Sequence, residues 1–214
     1  MKTVLWGTML AMVAYPAAAE EAVESAVSNF TLTNVQLVAA PEFGQAKLTG
    51  LGTIGPAGFP LGFTWIVQGG FALPFADGDA PAAWTLAEGG VEIAITPGAQ
   101  FSMYHRVRAG IYADMIGRNP DPVFAYVNCG QAGGQAVSWV SINEWSINND
   151  GSVFYYYEGL VDASPFPGRE IRFGGFWENR RGFQAGPRVK ARDFYVHVGV
   201  VGTPMVFVGI EHVW

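Results

Sequence analysis

The sequence is poor in charge and in cysteine. Asp, Glu, Lys and Arg make up only 14% of the 214 residues, and Cys129 is the only cysteine. A single cysteine excludes an intramolecular disulfide, so stability has to come from burial and strand pairing. We expect Cys129 to be a small buried apolar residue. The low charge combined with 14% aromatic residues also excludes a disordered chain.

The motifs of common catalytic and metal sites are missing as well. The sequence contains no Gly-x-Ser-x-Gly nucleophile elbow and no glycine-rich loop followed by the lysine that binds phosphate. His105, His197 and His212 are not spaced as a pair of metal ligands. We therefore expect no metal and no other cofactor, and an enzyme is not the favoured class.

The charges that are present are unevenly distributed. Segment 20–104 has eight acids and one base, whereas segment 105–214 has ten of each. Acids interrupt the basic run near the end of the chain, so nucleic acid is not an expected partner. This run could instead dock an anion or the acidic half of a neighbouring copy. Its candidate docking residues are Arg169, Arg172, Arg180 and Arg181.

Residues 1–19 have the pattern of a signal peptide. Lys2 precedes a mostly apolar stretch, and small residues end at Ala19. The apolar stretch is too short to span a bilayer core of ~30 Å. We predict cleavage after Ala19, a single β-rich domain over residues 20–214, and a periplasmic, extracellular or surface location.

The rest of the chain has the composition of an all-β protein. It has 28 Gly and 13 Pro, with half of its residues hydrophobic, which favours short strands and tight turns. Phe30–Leu37 alternates between apolar and polar residues, as a half-buried strand does. Only 20–28 is a plausible helix. We predict an antiparallel β-sandwich or jelly roll, with a closed β-barrel as the alternative.

A hairpin centred on Asp150-Gly151 carries the candidate ligand-binding residues. If these two residues form a type I′ loop, Ser146 faces Tyr155 and Glu144 faces Tyr157 on a polar side with aromatic platforms. Such platforms suit sugar rings and protein partners. The candidate residues are Tyr155, Tyr157, Glu144 and Trp177. In this register Glu144 and Glu158 lie on opposite faces, so they cannot form a glycosidase pair.

The last hairpin of the chain is apolar on both faces. Phe194–Val201 and Met205–Trp214 are expected to pair, with His212 contacting Asp193 across the strands. Strands that are apolar on both faces need cover from a second sheet and a partner, or from lipid.

Three classes of function remain open. The favoured class is an exported, non-catalytic protein that acts through its surfaces, as a self-associating structural subunit of a cell surface or virion or as a carbohydrate-binding adhesive module. The second is a small outer-membrane β-barrel, in which Val206, Val208, Ile210 and Trp214 form an outward row interrupted by His212. Membrane contact is expected only in this class. The third is an exported hydrolase whose site is assembled from distant strands.

Overall fold

The structure is a computed structural model that describes residues 30–56, 59–75, 81–98, 101–114, 120–133, 137–164, 171–179, 183–202 and 204–213. The regular structure in these ranges consists of twelve β-strands. They are β1 (Phe30–Ala40), β2 (Phe43–Ile54), β3 (Leu61–Pro74), β4 (Ala82–Gly98), β5 (Phe101–Asp114), β6 (Asp121–Gly133), β7 (Val137–Asn148), β8 (Val153–Ala163), β9 (Ile171–Glu178), β10 (Gln184–Ala191), β11 (Phe194–Gly199) and β12 (Met205–Val213).

Some sequence-based predictions fall outside these ranges. They are the signal peptide at residues 1–19, the short helix at 20–28, and the positions of Arg169, Arg180, Arg181 and Trp214. Within the described ranges, no helix is long and apolar enough to cross a membrane.

The strands form one closed antiparallel barrel. Each strand pairs with its neighbours in the sequence, and β1 closes the sheet against β12 with Val35 opposite Ile210. Closure pairs the edges that an open sheet would leave exposed. The prediction of an all-β antiparallel fold is confirmed in its closed-barrel alternative, and the sandwich or jelly roll is wrong.

The distribution of polar residues explains this correction. In β4, Glu88 and Glu92 are buried, whereas Val91 and Ile93 are exposed. Two packed sheets would bury the apolar set between them and leave the charged set in water. Alternation alone is common to sandwiches and barrels, so it could not distinguish the two folds.

The same arrangement, with charged residues on the lumen side and apolar residues exposed, is found in all the described strands that carry charge. Every Asp, Glu, Lys and Arg of the described strands belongs to the alternating set that faces the lumen. The opposite set, which we call the outer wall, is rich in exposed Val, Leu, Ile and Phe and has no charged acid or base among the described strand residues. Side chains alternate along a strand, so this partition follows directly from the spacing of the charges.

The β7–β8 hairpin differs from its predicted register by one residue. Trp145 pairs with Tyr155 and Glu144 with Tyr156, because the loop contains three residues, 149–151, rather than two. Gly151 has φ 77°, and its amide donates to the carbonyl of Asn148 at 3.0 Å. This is the pattern of a turn followed by a left-handed glycine bulge. The odd loop length moves the β8 side chains to the face opposite the one predicted, so that Tyr155 lies beside Trp145 and Tyr156 beside Glu144.

The last hairpin has the two apolar faces that the sequence predicted. Val206 and Ile210 are exposed on the outer wall, and Met205 and Phe207 are buried on the lumen side. The predicted contact between His212 and Asp193 is confirmed, since His212 Nδ1 lies 2.7 Å from Asp193 Oδ2.

Gly174 permits a close approach between β8 and β9. A Cβ atom at this position would lie 1.7 Å from the carbonyl oxygen of Val161 and 2.8 Å from Asp162 Oδ1. A Cβ on the adjacent Gly175 would lie 3.5 Å from its nearest neighbour, the carbonyl oxygen of Gly186, which is an ordinary contact.

We therefore expect Gly174→Ala to destabilise the barrel by about 1–3 kcal/mol through overpacking against the backbone. Gly175→Ala is the matched control and should change the free energy of unfolding much less. Urea unfolding of both variants in micelles, followed by tryptophan fluorescence, measures the difference. Equal stability of the two variants would contradict the close approach.

Candidate functional site

The lumen wall is organised around buried ion pairs. On one side, Arg106 pairs with Glu92, which also accepts a hydrogen bond of 3.1 Å from Thr53 Oγ1. Beside it, Arg108 Nε lies 2.9 Å from Glu88 Oε2, and Arg108 Nη2 lies 3.6 Å from Glu144 Oε2. Arg108 on β5 thus connects β4 with β7 across the intervening β6.

A second group of ion pairs lies on β8 to β12. Arg188 Nε is 3.2 Å from Asp162 Oδ1, and Lys190 Nζ is 2.7 Å from Glu211 Oε1. Each pair joins two strands that are separated by a third. Gly174 lies opposite both Asp162 and Arg188 in the register, so the ion pair passes over a position without a side chain.

Uncharged polar groups and aromatic rings also face the lumen. The hydroxyl of Tyr195 accepts a hydrogen bond from Gln36 Nε2 and donates one to Asn34 Oδ1, both at 3.1 Å. The His197 ring lies between Phe176 and Tyr195, with centroid distances of 4.9 and 4.8 Å. Tyr156 Oη donates to Glu158 Oε2 at 2.6 Å.

The lumen is constricted at the level of these residues. Arg108 is 1% exposed, and Glu144 and Tyr156 are 0% exposed. Side chains that lined a wide aqueous channel would be accessible to water, whereas these are covered by their neighbours. Passage of a solute at this level therefore requires the side chains to move.

The predicted ligand-binding residues lie on both sides of the barrel wall. Glu144 faces the lumen, whereas Tyr155 and Tyr157 lie on the outer wall. Trp177 is also on the outer wall and covers Gly159, where an added Cβ would lie 2.0 Å from the indole ring. Glu144 therefore does not share a surface with the three aromatic residues, and ligand binding by those residues stays a prediction.

The other sequence-based candidates are placed as follows. Arg172 belongs to the lumen set, and its Nη1 donates to Ser138 Oγ at 2.9 Å. Glu144 and Glu158 both face the lumen, so their predicted placement on opposite faces is wrong. They have separate partners, Arg108 for Glu144 and the Tyr156 hydroxyl for Glu158. Cys129 is buried, as predicted, 3.8 Å from Arg106 Nη1.

Sequence reasoning missed the lumen cations, although a signal was present. Arg106 and Arg108 are two residues apart with Val107 between them, and Arg188 and Lys190 flank Val189 in the same way. Charges two residues apart around an exposed valine face one side of a strand. Within the described residues, no group of three His, Cys, Asp or Glu side chains is arranged to hold a metal ion.

The barrel is similar in fold to a solved porin. No protein-family model and no curated protein matches the chain. The structure of the KdgM porin in complex with disordered oligogalacturonate matches with a TM-score of 0.58 and 11% identity, covering 85% of this chain and 98% of that one. A mutant porin of Rh. blastica covers 87% of this chain at 10% identity, but its TM-score of 0.26 is too low to support an argument. The similarity to the KdgM porin concerns the fold alone.

Arg108 provides a test of the lumen network. Arg108→Met should reduce the free energy of unfolding by about 3–5 kcal/mol, because it leaves Glu88 and Glu144 buried without their cation. A triple variant that adds Glu88→Gln and Glu144→Gln should recover most of the loss. Urea unfolding in micelles compares the two proteins, and equal stability would contradict the assigned pairing.

Proposed function

We propose that this chain is an outer-membrane β-barrel that provides a narrow path for small, uncharged polar solutes. The observation that carries the proposal is the inverted polarity of the barrel: the Asp, Glu, Lys and Arg side chains of the described strands lie on the lumen side, and the outer wall is mostly apolar. A water-soluble barrel has no reason to expose this apolar surface, whereas a bilayer requires it.

Several further features support a membrane location. The twelve strands of the described residues are antiparallel and form a closed sheet with an even strand number, as in bacterial outer-membrane barrels. Closure satisfies the backbone hydrogen bonds between strands, which hydrocarbon demands because it offers no replacement partners. The signal-peptide pattern of residues 1–19 agrees with export.

We infer the class of solute from the pairing of the lumen cations with carboxylates. Galacturonate, the unit of the ligand bound to the KdgM porin, is a sugar acid, and an oligomer of it carries many negative charges. Here Arg106, Arg108, Arg188 and Lys190 are already paired with carboxylates. Recognition of a polyanion would have to break these pairs. The lumen also contains amide atoms that have no hydrogen-bond partner among the described residues, namely Gln36 Oε1 and both polar atoms of Gln184. Such groups suit the hydroxyl groups of a neutral sugar.

Membrane insertion is tested first. The refolded chain from Glu20 onward should float with phospholipid vesicles and be soluble only in detergent, because its outer wall is apolar. A monodisperse protein in detergent-free buffer that remains at the bottom of the gradient would reject the membrane location.

The path through the lumen is tested with Tyr156. Because Tyr156 is 0% exposed at the constriction, Tyr156→Ala should raise single-channel conductance in planar bilayers several-fold. Phe71→Ala, which removes an exposed ring from the outer wall on β3, is the control and should leave conductance unchanged. If both variants conduct like the parent protein, the path does not pass Tyr156.

The proposed selectivity is tested by swelling of proteoliposomes. A neutral disaccharide should enter faster than a galacturonate oligomer of similar size, because Arg106, Arg108, Arg188 and Lys190 are already paired with carboxylates. Faster entry of the acidic oligomer would contradict the proposed solute class while leaving the membrane barrel intact.

A further inference from the structure

Neutral polar side chains interrupt the outer wall on four consecutive strands. We call this group the polar island, and it consists of His105, Tyr126, Asn128, Asn143 and Tyr155. The residues lie side by side in the sheet register, with His105 opposite Asn128 and Asn128 opposite Asn143. Ser141 and Tyr157 border this group. The other hydroxyl, amide and imidazole side chains of the described outer wall are Thr31 and Thr33 on β1, His212 on β12 and Thr85 on β4.

The polar island lies inside the apolar band and not at its rim. Ile147 and Val153 are exposed on the side of the β7–β8 turn, at 48% and 64%. Val137 and Val161 are exposed toward the opposite ends of the same strands, at 52% and 37%. An aromatic and polar girdle at the headgroup level would have apolar neighbours on one side only.

Hydrogen bonds within the polar island satisfy only part of its polar groups. His105 Nδ1 lies 2.8 Å from the Tyr126 hydroxyl and 3.2 Å from Asn128 Nδ2, which is a donor. The ring nitrogen therefore accepts, and the proton of a neutral His105 is on Nε2. Tyr155 donates to Asn143 Oδ1 at 2.9 Å. Among the described residues, His105 Nε2, Asn128 Oδ1 and Asn143 Nδ2 have no partner.

Contact with lipid hydrocarbon would be unfavourable for these three groups, because a polar group without a hydrogen-bond partner raises the free energy of a protein inside a membrane. Phosphate headgroups are also poor candidates, since the described outer wall has no Lys or Arg to bind them. The polar island offers both donors and acceptors and carries no net charge while His105 is neutral. A surface of this kind is complementary to itself.

We propose that the polar island is the contact surface between two copies of this chain, arranged around a twofold axis in the membrane. Trp145 and Tyr155 add a contiguous aromatic surface, with ring centroids 5.0 Å apart, and both are about two-fifths exposed, at 39% and 41%. Aromatic residues around a few buried polar contacts are typical of the centre of a protein interface. This inference rests on the proposed membrane location.

Association is measured in vesicles, after flotation has established that each protein is inserted. Energy transfer between donor- and acceptor-labelled copies should give an association constant that falls about tenfold in Asn128→Leu with Asn143→Leu, the size of one or two polar contacts between membrane segments. Thr33→Leu with Thr85→Leu is the matched control, because it makes the same kind of change on the outer wall outside the polar island. It should leave association unchanged.

Cysteine cross-linking locates the contact independently. Trp145→Cys should form disulfide-linked dimers on mild oxidation, whereas Leu37→Cys, on β1 at the opposite side of the barrel, should not. Inserted protein that shows no energy transfer, or a leucine variant that associates as tightly as the parent, would overturn the contact surface and leave the membrane barrel standing. Protein that fails to float would instead reject the membrane location and the contact surface together.

Discussion

The pairing of β1 with β12 is the contact on which the rest of the structure depends. It turns an open sheet into a barrel, so that each strand residue faces either the lumen or the surroundings. All Asp, Glu, Lys and Arg residues of the described strands belong to the set that faces the lumen. Closure therefore decides where the charged residues lie. In an open sandwich the charged residues would lie in water and the apolar residues would form the core.

The buried charges of the lumen are paired with one another, which offsets part of the free energy of burying them. A lone buried carboxylate or guanidinium is expensive, whereas an ion pair with further hydrogen bonds recovers part of that cost. Arg108 contacts both Glu88 and Glu144, and Ser146 donates to Glu144 at 2.9 Å. The contact between Arg108 and Glu144 links β5 to β7, which do not pair directly, so side chains that narrow the lumen also connect separate parts of its wall.

The antiparallel strands and some of their contacts could be predicted from sequence. Which face of each strand lies inside the barrel could not. Asp150-Gly151 correctly indicated a turn, and His212 with Asp193 correctly indicated a cross-strand contact. The number of loop residues is not readable from a dipeptide, and that number decides whether Glu144 shares a face with Tyr155 or with Tyr156. Spacing along the chain also cannot bring Asp162 to Arg188, because their contact depends on β9 lying between them.

The three-residue turn between β7 and β8 also bears on which length changes the chain tolerates. A residue added to or removed from a turn can be absorbed there, as the glycine bulge at Gly151 illustrates. The same change in the middle of a strand would reverse every side chain from that point to the next turn, sending carboxylates into lipid and valines into the lumen. Relatives of this barrel should therefore vary in length at their turns and conserve the parity of their strands.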